Sequence, residues 1–276
     1  MNSSPDINES LCHICLENKP LSFEHVPPRS ANNNSKVFLC DMKNWLQRSA
    51  DGQVKGKQFQ RGAGVSTLCR DCNSFAGKWY VPDYTELVRV GTAALAQIPP
   101  EKRRMADEQI GVRIHSRLVV QDAKPLRVIK QIVTMMLAVS TVGFCEKHPD
   151  LREFVLCPDK QGLQPPFRLG LSLYLGPVSR YAAHEGILKT DTREFQFVTE
   201  LALPPFSMVL MLNDAPLPDG HADVTQFANG SIDEVRDMPL EMDVRFGHTP
   251  YAIDFQSSAE KKAQREKNAA APPMTL

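Results

Sequence analysis

The residues best placed to do chemistry are four cysteines and one glutamate–histidine pair. Cys12 and Cys15 stand two apart in "LCHICLENKP", and Cys69 and Cys72 repeat that spacing in "LCRDCNS". A Cys-x-x-Cys hairpin turns two thiolates toward one point, and two such hairpins supply the closed tetrahedral set that Zn²⁺ prefers in structural sites. The chain has seven cysteines, an odd number, so they cannot all pair with one another as disulfides. The polar start "MNSSPDINES" has no signal-peptide character, and paired spacing in that setting reads as metal rather than as bridges. Cys40, Cys145 and Cys157 have no partner at ligand spacing. Cys145 and Cys157, at the ends of an apolar helix and an apolar strand, are expected as small core residues.

Between the hairpins lies "LSFEHVPPRS". Adjacent residues of a regular strand point to opposite faces, so Glu24 and His25 in an unbroken strand would not converge. Pro27 and Pro28 forbid continued pairing and push the chain into a loop, which is expected to bring the pair to one point. There a carboxylate can hold a cation while an imidazole, titrating near neutral pH, deprotonates a water. The plain alternative is a hydrogen-bonded strand end. Asn73 follows the last cysteine directly, and as a residue type it reads first as the cap of a helix starting there.

The order CxxC, acidic residue and His before a hydrophobic residue and Pro, then CxxC-Asn opening a helix resembles the HNH endonucleases over residues 11–80. That resemblance implies a ββα-metal module, treble-clef-like, stapled by zinc on Cys12, Cys15, Cys69 and Cys72. It implies His25 as the general base activating water against a phosphodiester, with Glu24 and Asn73 as ligands of a catalytic Mg²⁺ or Mn²⁺. The family's middle Asn, some nine residues before the last, has no match where this chain has "GAGVSTLC" with Gly64; Asn32, Asn33 or Asn34 could take its place. HNH modules joined to larger domains resemble restriction and antiphage-defence nucleases, and DNA is the implied substrate, RNA remaining open. Candidate phosphate contacts are Arg29, Lys57, Arg70 and Lys78.

Elements must position these groups. Residues 11–80 are poor in long apolar runs and need a staple; the 54 positions from Cys15 to Cys69 have room for a hairpin and a loop. "YTELVRVGTAALAQI" (84–98) has the period of an amphipathic helix stopped by Pro99-Pro100, and "PLRVIKQIVTMMLAVSTVGF" (125–144) reads as one largely buried helix. "RIHSRLVV", "FRLGLSLYLG", "RYAAHEGILKT", "REFQFVTELAL", "FSMVLMLN" and "EMDVRFG" read as strands. The expected fold is α+β: the zinc-stapled module at 11–80, an α+β domain with an antiparallel sheet at 81–256, and a disordered tail at 257–276, with 1–10 loose. No apolar run reaches a membrane-spanning length of about 18 residues, so a soluble, cytoplasmic protein with no membrane partner is expected.

Net charge is zero, but 19–80 holds 10 Lys/Arg against 4 Asp/Glu while 190–255 holds 3 against 12. A polyanion would therefore approach the first part, and the acidic second part is expected to regulate, dock a partner or form a homo-oligomer. Against the nuclease stands a non-catalytic zinc-stapled module that binds nucleic acid or protein, which needs the cysteines and basic residues but not Glu24, His25 and Asn73. His115, His148, His184, His221 and His248 are scattered without ligand spacing and anchor no separate small-molecule site.

Overall fold

The computed structural model describes residues 10–41, 44, 55–107, 114–164, 166–176, 179–188, 195–212 and 215–245. The frayed tail expected at 257–276 and nearly all of the loose start lie outside them, although Ser10 already belongs to a strand. Helices and antiparallel strand pairs occur together, so the α+β class holds. Two compact units divide the chain, the larger drawn from Met1–Asn33 and Gly64–Tyr251, the smaller containing 34–63.

The larger unit begins with β1 (Ser10–Leu11) and β2 (Asn18–Lys19), an antiparallel pair closing over the first cysteine hairpin. β3 (Leu21–His25) follows and carries the Glu-His pair. In the smaller unit β4 (Val37–Leu39) and β5 (Lys57–Phe59) form a short antiparallel pair, which is the hairpin the long interval had room for. β6 (Gly64–Cys69) pairs antiparallel with β3, and helix α1 (Arg70–Trp79) starts on the next residue.

Helix α2 (Val81–Ala96) begins earlier than its apolar period suggests because Pro82 fits the first turn, where no N–H is needed. Pro100 likewise opens a short helix, α3 (Pro100–Asp107). β7 (His115–Ala123) leads into α4 (Pro125–Val139), the most buried helix. The single helix read over 125–144 is two: Ser140 closes α4, its Oγ donating to the Met136 carbonyl at 2.6 Å, and Thr141 caps α5 (Val142–Lys147). Helix α6 (Pro149–Leu156) occupies a stretch read as strand, so Cys157 follows a helix and is exposed instead of buried, whereas Cys145 is fully buried as expected. Lys130 of α4 is fully buried, and its ammonium holds the end of α6 through the carbonyls of Cys157 (2.9 Å), Lys160 (2.8 Å) and Phe154.

The remaining strands are β8 (Arg168–Tyr174), β9 (Arg180–Leu188), β10 (Phe195–Leu203), β11 (Phe206–Met211), β12 (Ala222–Asp223) and β13 (Arg236–Arg245). With β7 they build one sheet in the order β7-β13-β8-β11-β10-β9, β12 pairing beside β8. Every pairing is antiparallel except β13 with β8. β11 is buried at every position, as in a central strand covered on both faces, while β13 alternates with Met238, Leu240, Met242 and Val244 turned inward. One apolar cluster includes Ile14, Val26 and Leu68 with Tyr80, Tyr84, the apolar residues of α4 and Leu169, Leu171 and Leu173 of β8. Polar ties cross the same boundary: Thr67 Oγ1 donates to the Ala138 carbonyl at 2.7 Å and Tyr80 OH to that of Val155 at 2.7 Å. The β3–β6–α1 unit is thus mounted on the buried helix α4. Among the described residues no helix is long and apolar enough to cross a membrane.

Candidate functional site

The four cysteines predicted from spacing come together. Their sulfur atoms all lie within 4.8 Å of one another, with Cys15 and Cys69 at 3.9 Å. A tetrahedron of thiolates at the usual Zn–S length places its sulfurs about 3.8 Å apart, so the set fits zinc. Local structure explains the convergence. Leu16 N donates back to the Cys12 carbonyl at 2.9 Å, and Leu16 takes the left-handed conformation (φ 57°) that turns the first hairpin over. Cys69 ends β6 at the N-cap of α1, where no side chain caps the helix, and Cys72 lies in its first turn. The positive end of the helix faces the sulfurs. Cys69 N also donates to Cys12 Sγ at 3.3 Å. A hydrogen bond from the Cys72 thiol, opposed by burial and helped by the Cys69 amide, holds Cys12 well below the usual thiol range. Burial pushes Cys15 up to about 11, so a metal must displace its proton. His13 sits inside the first hairpin, half-buried, with Nδ1 at 3.1 Å from the Leu137 carbonyl oxygen.

Glu24 and His25 both remain in β3, paired with Val65 and Gly64 of β6. The prolines act only after the pair, so the expected convergence of the two side chains on one point does not occur through a break in the strand. His25 shares a face with Phe23, their rings meeting edge to face at 4.9 Å, and Glu24 between them points the other way. Glu24 is 5% exposed, and its carboxylate has no hydrogen bond or ion pair among the described residues. Burial alone pushes its pKa up to about 7. Desolvation by itself disfavours the ionised form, and the fully buried side-chain atoms without a hydrogen-bond partner among the described residues belong to other residues, Gln131 among them, and not to Glu24.

Asn73 is not the cap of its helix. It projects from the second turn of α1, and Nδ2 donates to Ser22 Oγ at 3.1 Å and to the Phe23 carbonyl at 3.2 Å. Ser22 is two residues from Glu24, and the β3–β6 register shifts between them; the bonds to Ser22 and Phe23 tie Asn73 to the strand next to Glu24. Where the resemblance calls for a middle Asn, Gly64 lies opposite His25, and a Cβ there would fall 2.0 Å from the Glu24 carbonyl oxygen. Only glycine fits so close a strand approach. The loop after His25 is held instead by Asn33, buried, with Nδ2 donating to the Pro27 carbonyl at 2.6 Å. Tyr181 of β9 donates to the Val26 carbonyl, and Asn32 Nδ2 to Thr92 Oγ1 at 3.2 Å. Ser22 and Tyr181 were not singled out from sequence. Alternation along β3 could have pointed to Ser22, but nothing local marks a tyrosine 155 positions away.

Arg29, Arg70 and Lys78 are exposed, with no ion pair among the described residues. Elsewhere Arg168 is held by Asp223 at 2.7 Å, Lys124 by Asp233 at 3.2 Å and Arg117 by Glu241 at 2.5 Å. Lys57, in the smaller unit, is exposed with Nζ 5.0 Å from the centre of the Phe59 ring. No family model, curated protein or solved structure matches this chain.

Proposed function

We propose that this protein is a metal-dependent endonuclease of the HNH kind that hydrolyses phosphodiester bonds in DNA. The observation that carries the reading is that Asn73 is tied to Ser22 and Phe23 beside Glu24, a buried carboxylate with no hydrogen bond or ion pair among the described residues, one residue from His25. Glu24 and Asn73 Oδ1 would hold a hard divalent cation, Mg²⁺ or Mn²⁺, leaving most of its shell to water and phosphate. When bound, such a cation neutralises charge on the phosphoryl and leaving oxygens.

In an in-line displacement the attacking and leaving oxygens lie on opposite sides of phosphorus, and in this reading His25 serves the attacking side and the cation the leaving side. His25 takes the proton as the water oxygen bonds to phosphorus and the bond to the departing ester oxygen breaks. Phe23 stands beside His25, the two rings edge to face. Exposed Arg29, Arg70 and Lys78 offer charge to the backbone.

The test is plasmid nicking by zinc-loaded protein with Mg²⁺ or Mn²⁺, wild type against His25→Ala. Loss of a general base should slow the cut by about 10²–10⁴-fold at unchanged zinc content. Nicking at the wild-type rate in His25→Ala overturns the assignment. Salt-sensitive binding with no cleavage under either metal would leave the non-catalytic nucleic-acid-binding module.

A further inference from the structure

We propose that Ser22 is a positioning residue that fixes which end of the Asn73 amide faces the cation; this rests on the nuclease reading above. An asparagine amide has a donor end and an acceptor end of nearly the same shape, and only Oδ1 can ligate a hard cation. Packing alone cannot choose between the ends, whereas hydrogen-bond partners can. The Phe23 carbonyl, at 3.2 Å from Nδ2, can only accept. Ser22 Oγ could donate or accept, but its proton is committed to the Leu68 carbonyl at 3.0 Å, so toward Asn73 it can only accept. Two obligate acceptors hold Nδ2 against the strand and turn Oδ1 away from it. The relay runs Asn73 Nδ2 to Ser22 Oγ to Leu68 O, and Leu68 adjoins Cys69 of the cysteine cluster. The hairpin register that gathers the sulfurs therefore also sets the direction of the Asn73 oxygen.

Loss of the Ser22 hydroxyl frees the amide to turn, and Asn73 then spends part of its time presenting an NH₂ group where the cation needs oxygen. The experiment measures Mn²⁺ binding to the zinc-loaded full chain, without nucleic acid, by the electron paramagnetic resonance signal of free Mn²⁺. The Mn²⁺ dependence of plasmid nicking is followed in parallel. Ser22→Ala should raise the Mn²⁺ dissociation constant about 5- to 10-fold and shift half-saturation of nicking by the same factor, with the rate at saturating Mn²⁺ largely recovered. In an Asn73→Ala background Ser22→Ala should add nothing, because the group it orients is gone. Ser22→Thr, which keeps the hydroxyl, should restore binding, and Ser22→Val, of the same shape without it, should not. That isosteric pair decides the matter if Ser22→Ala loses zinc.

Unchanged Mn²⁺ affinity in Ser22→Ala, or an equal loss in the Asn73→Ala background, overturns the positioning role and leaves the nuclease standing if wild type nicks. A wild type that neither binds Mn²⁺ nor nicks overturns both. A wild type that binds Mn²⁺ without nicking removes the nuclease, and the Ser22 variants then still decide the positioning of Asn73 by Mn²⁺ affinity alone.

Discussion

Two glutamates are buried in strands of this chain, and they are treated in opposite ways. Glu200 of β10 is 1% exposed and fully engaged: Arg180 Nη2 donates to Oε1 at 2.9 Å and Oε2 at 2.8 Å, and Ser207 Oγ donates to Oε1 at 2.9 Å. Glu24 of β3 is 5% exposed and has no such contact among the described residues. Taking a carboxylate out of water costs several kcal/mol unless something repays it. Around Glu200 the protein supplies the repayment itself, and the result is a fixed cross-strand tie. Around Glu24 no such partner is found among the described residues, and on the proposed reading a cation would favour the ionised form there. The same residue type is structural in one place and a candidate ligand in the other because of what surrounds it.

Substitution by glutamine, which removes charge and little else, should separate the two. Glu200→Gln leaves the Arg180 guanidinium buried without a counter-charge and should destabilise the fold by about 3 kcal/mol in urea unfolding. Glu24→Gln should act with the opposite sign. In divalent-free, zinc-loaded protein at pH 7.5 it removes an uncompensated buried charge and should stabilise by on the order of 1–2 kcal/mol, while abolishing Mn²⁺ binding. A destabilising Glu24→Gln would break the comparison, since it would mean that the carboxylate is already satisfied.

Titration gives a finer test of the same contrast. Burial raises the folded-state pKa of Glu24 from the ordinary carboxylate value of 4.5 to about 7, so the folded state binds its proton more tightly than the unfolded state does. Its contribution to stability is therefore fully present below the unfolded value and is lost as pH rises through the folded one. The stability gap between Glu24→Gln and wild type should be absent near pH 4.5, open across the interval to pH 7 and stay constant above it. Mn²⁺ must displace the same proton, so its apparent affinity should fall by up to about tenfold per pH unit below 7 and level off above. Calorimetric melts and Mn²⁺ titrations over one pH series check both limbs, and a flat Mn²⁺ affinity from pH 5.5 to 8 removes Glu24 from the site.

Much of this site was legible in the sequence because its signals are local. Cys-x-x-Cys spacing fixes two sulfurs within one turn, and the cluster of Cys12, Cys15, Cys69 and Cys72 followed from it. The strands at 168–211 were marked by apolar runs between turn residues. Long-range facts escaped. Asn33, one of three asparagines open from sequence, closes the Val26–Pro28 loop, and nothing local chose it over Asn32 or Asn34; Gly64 is required by a strand contact that only the folded register creates. The break at Ser140 was hidden because the apolar period continues across it, while a serine bonding back to Met136 ends the helix. The prolines after His25 were given too large a part: they end β3, but opposite-facing neighbours come from the strand itself.

The smallest expected effects are those of the surface cations, and they extend the comparison from single carboxylates to their surroundings. The acidic stretch 190–255, which includes Glu200, holds 3 basic residues against 12 acidic. In the cysteine-stapled part, exposed Arg29, Arg70 and Lys78 have no ion pair among the described residues. A cation already paired cannot release counterions from a polyanion without first breaking its pair, whereas an unpaired one can. Arg70→Ala and Lys78→Ala should each reduce the steepness of the dependence of DNA binding on salt by about one contact, weaken binding at low salt alike for any sequence, and leave Mn²⁺ affinity untouched. Arg168→Ala, which breaks the pair with Asp223 at 2.7 Å, should leave the salt slope unchanged. Equal slopes for Lys78→Ala and Arg168→Ala would mean that DNA does not distinguish the two surfaces, and the nucleic-acid face would then have to be sought away from α1.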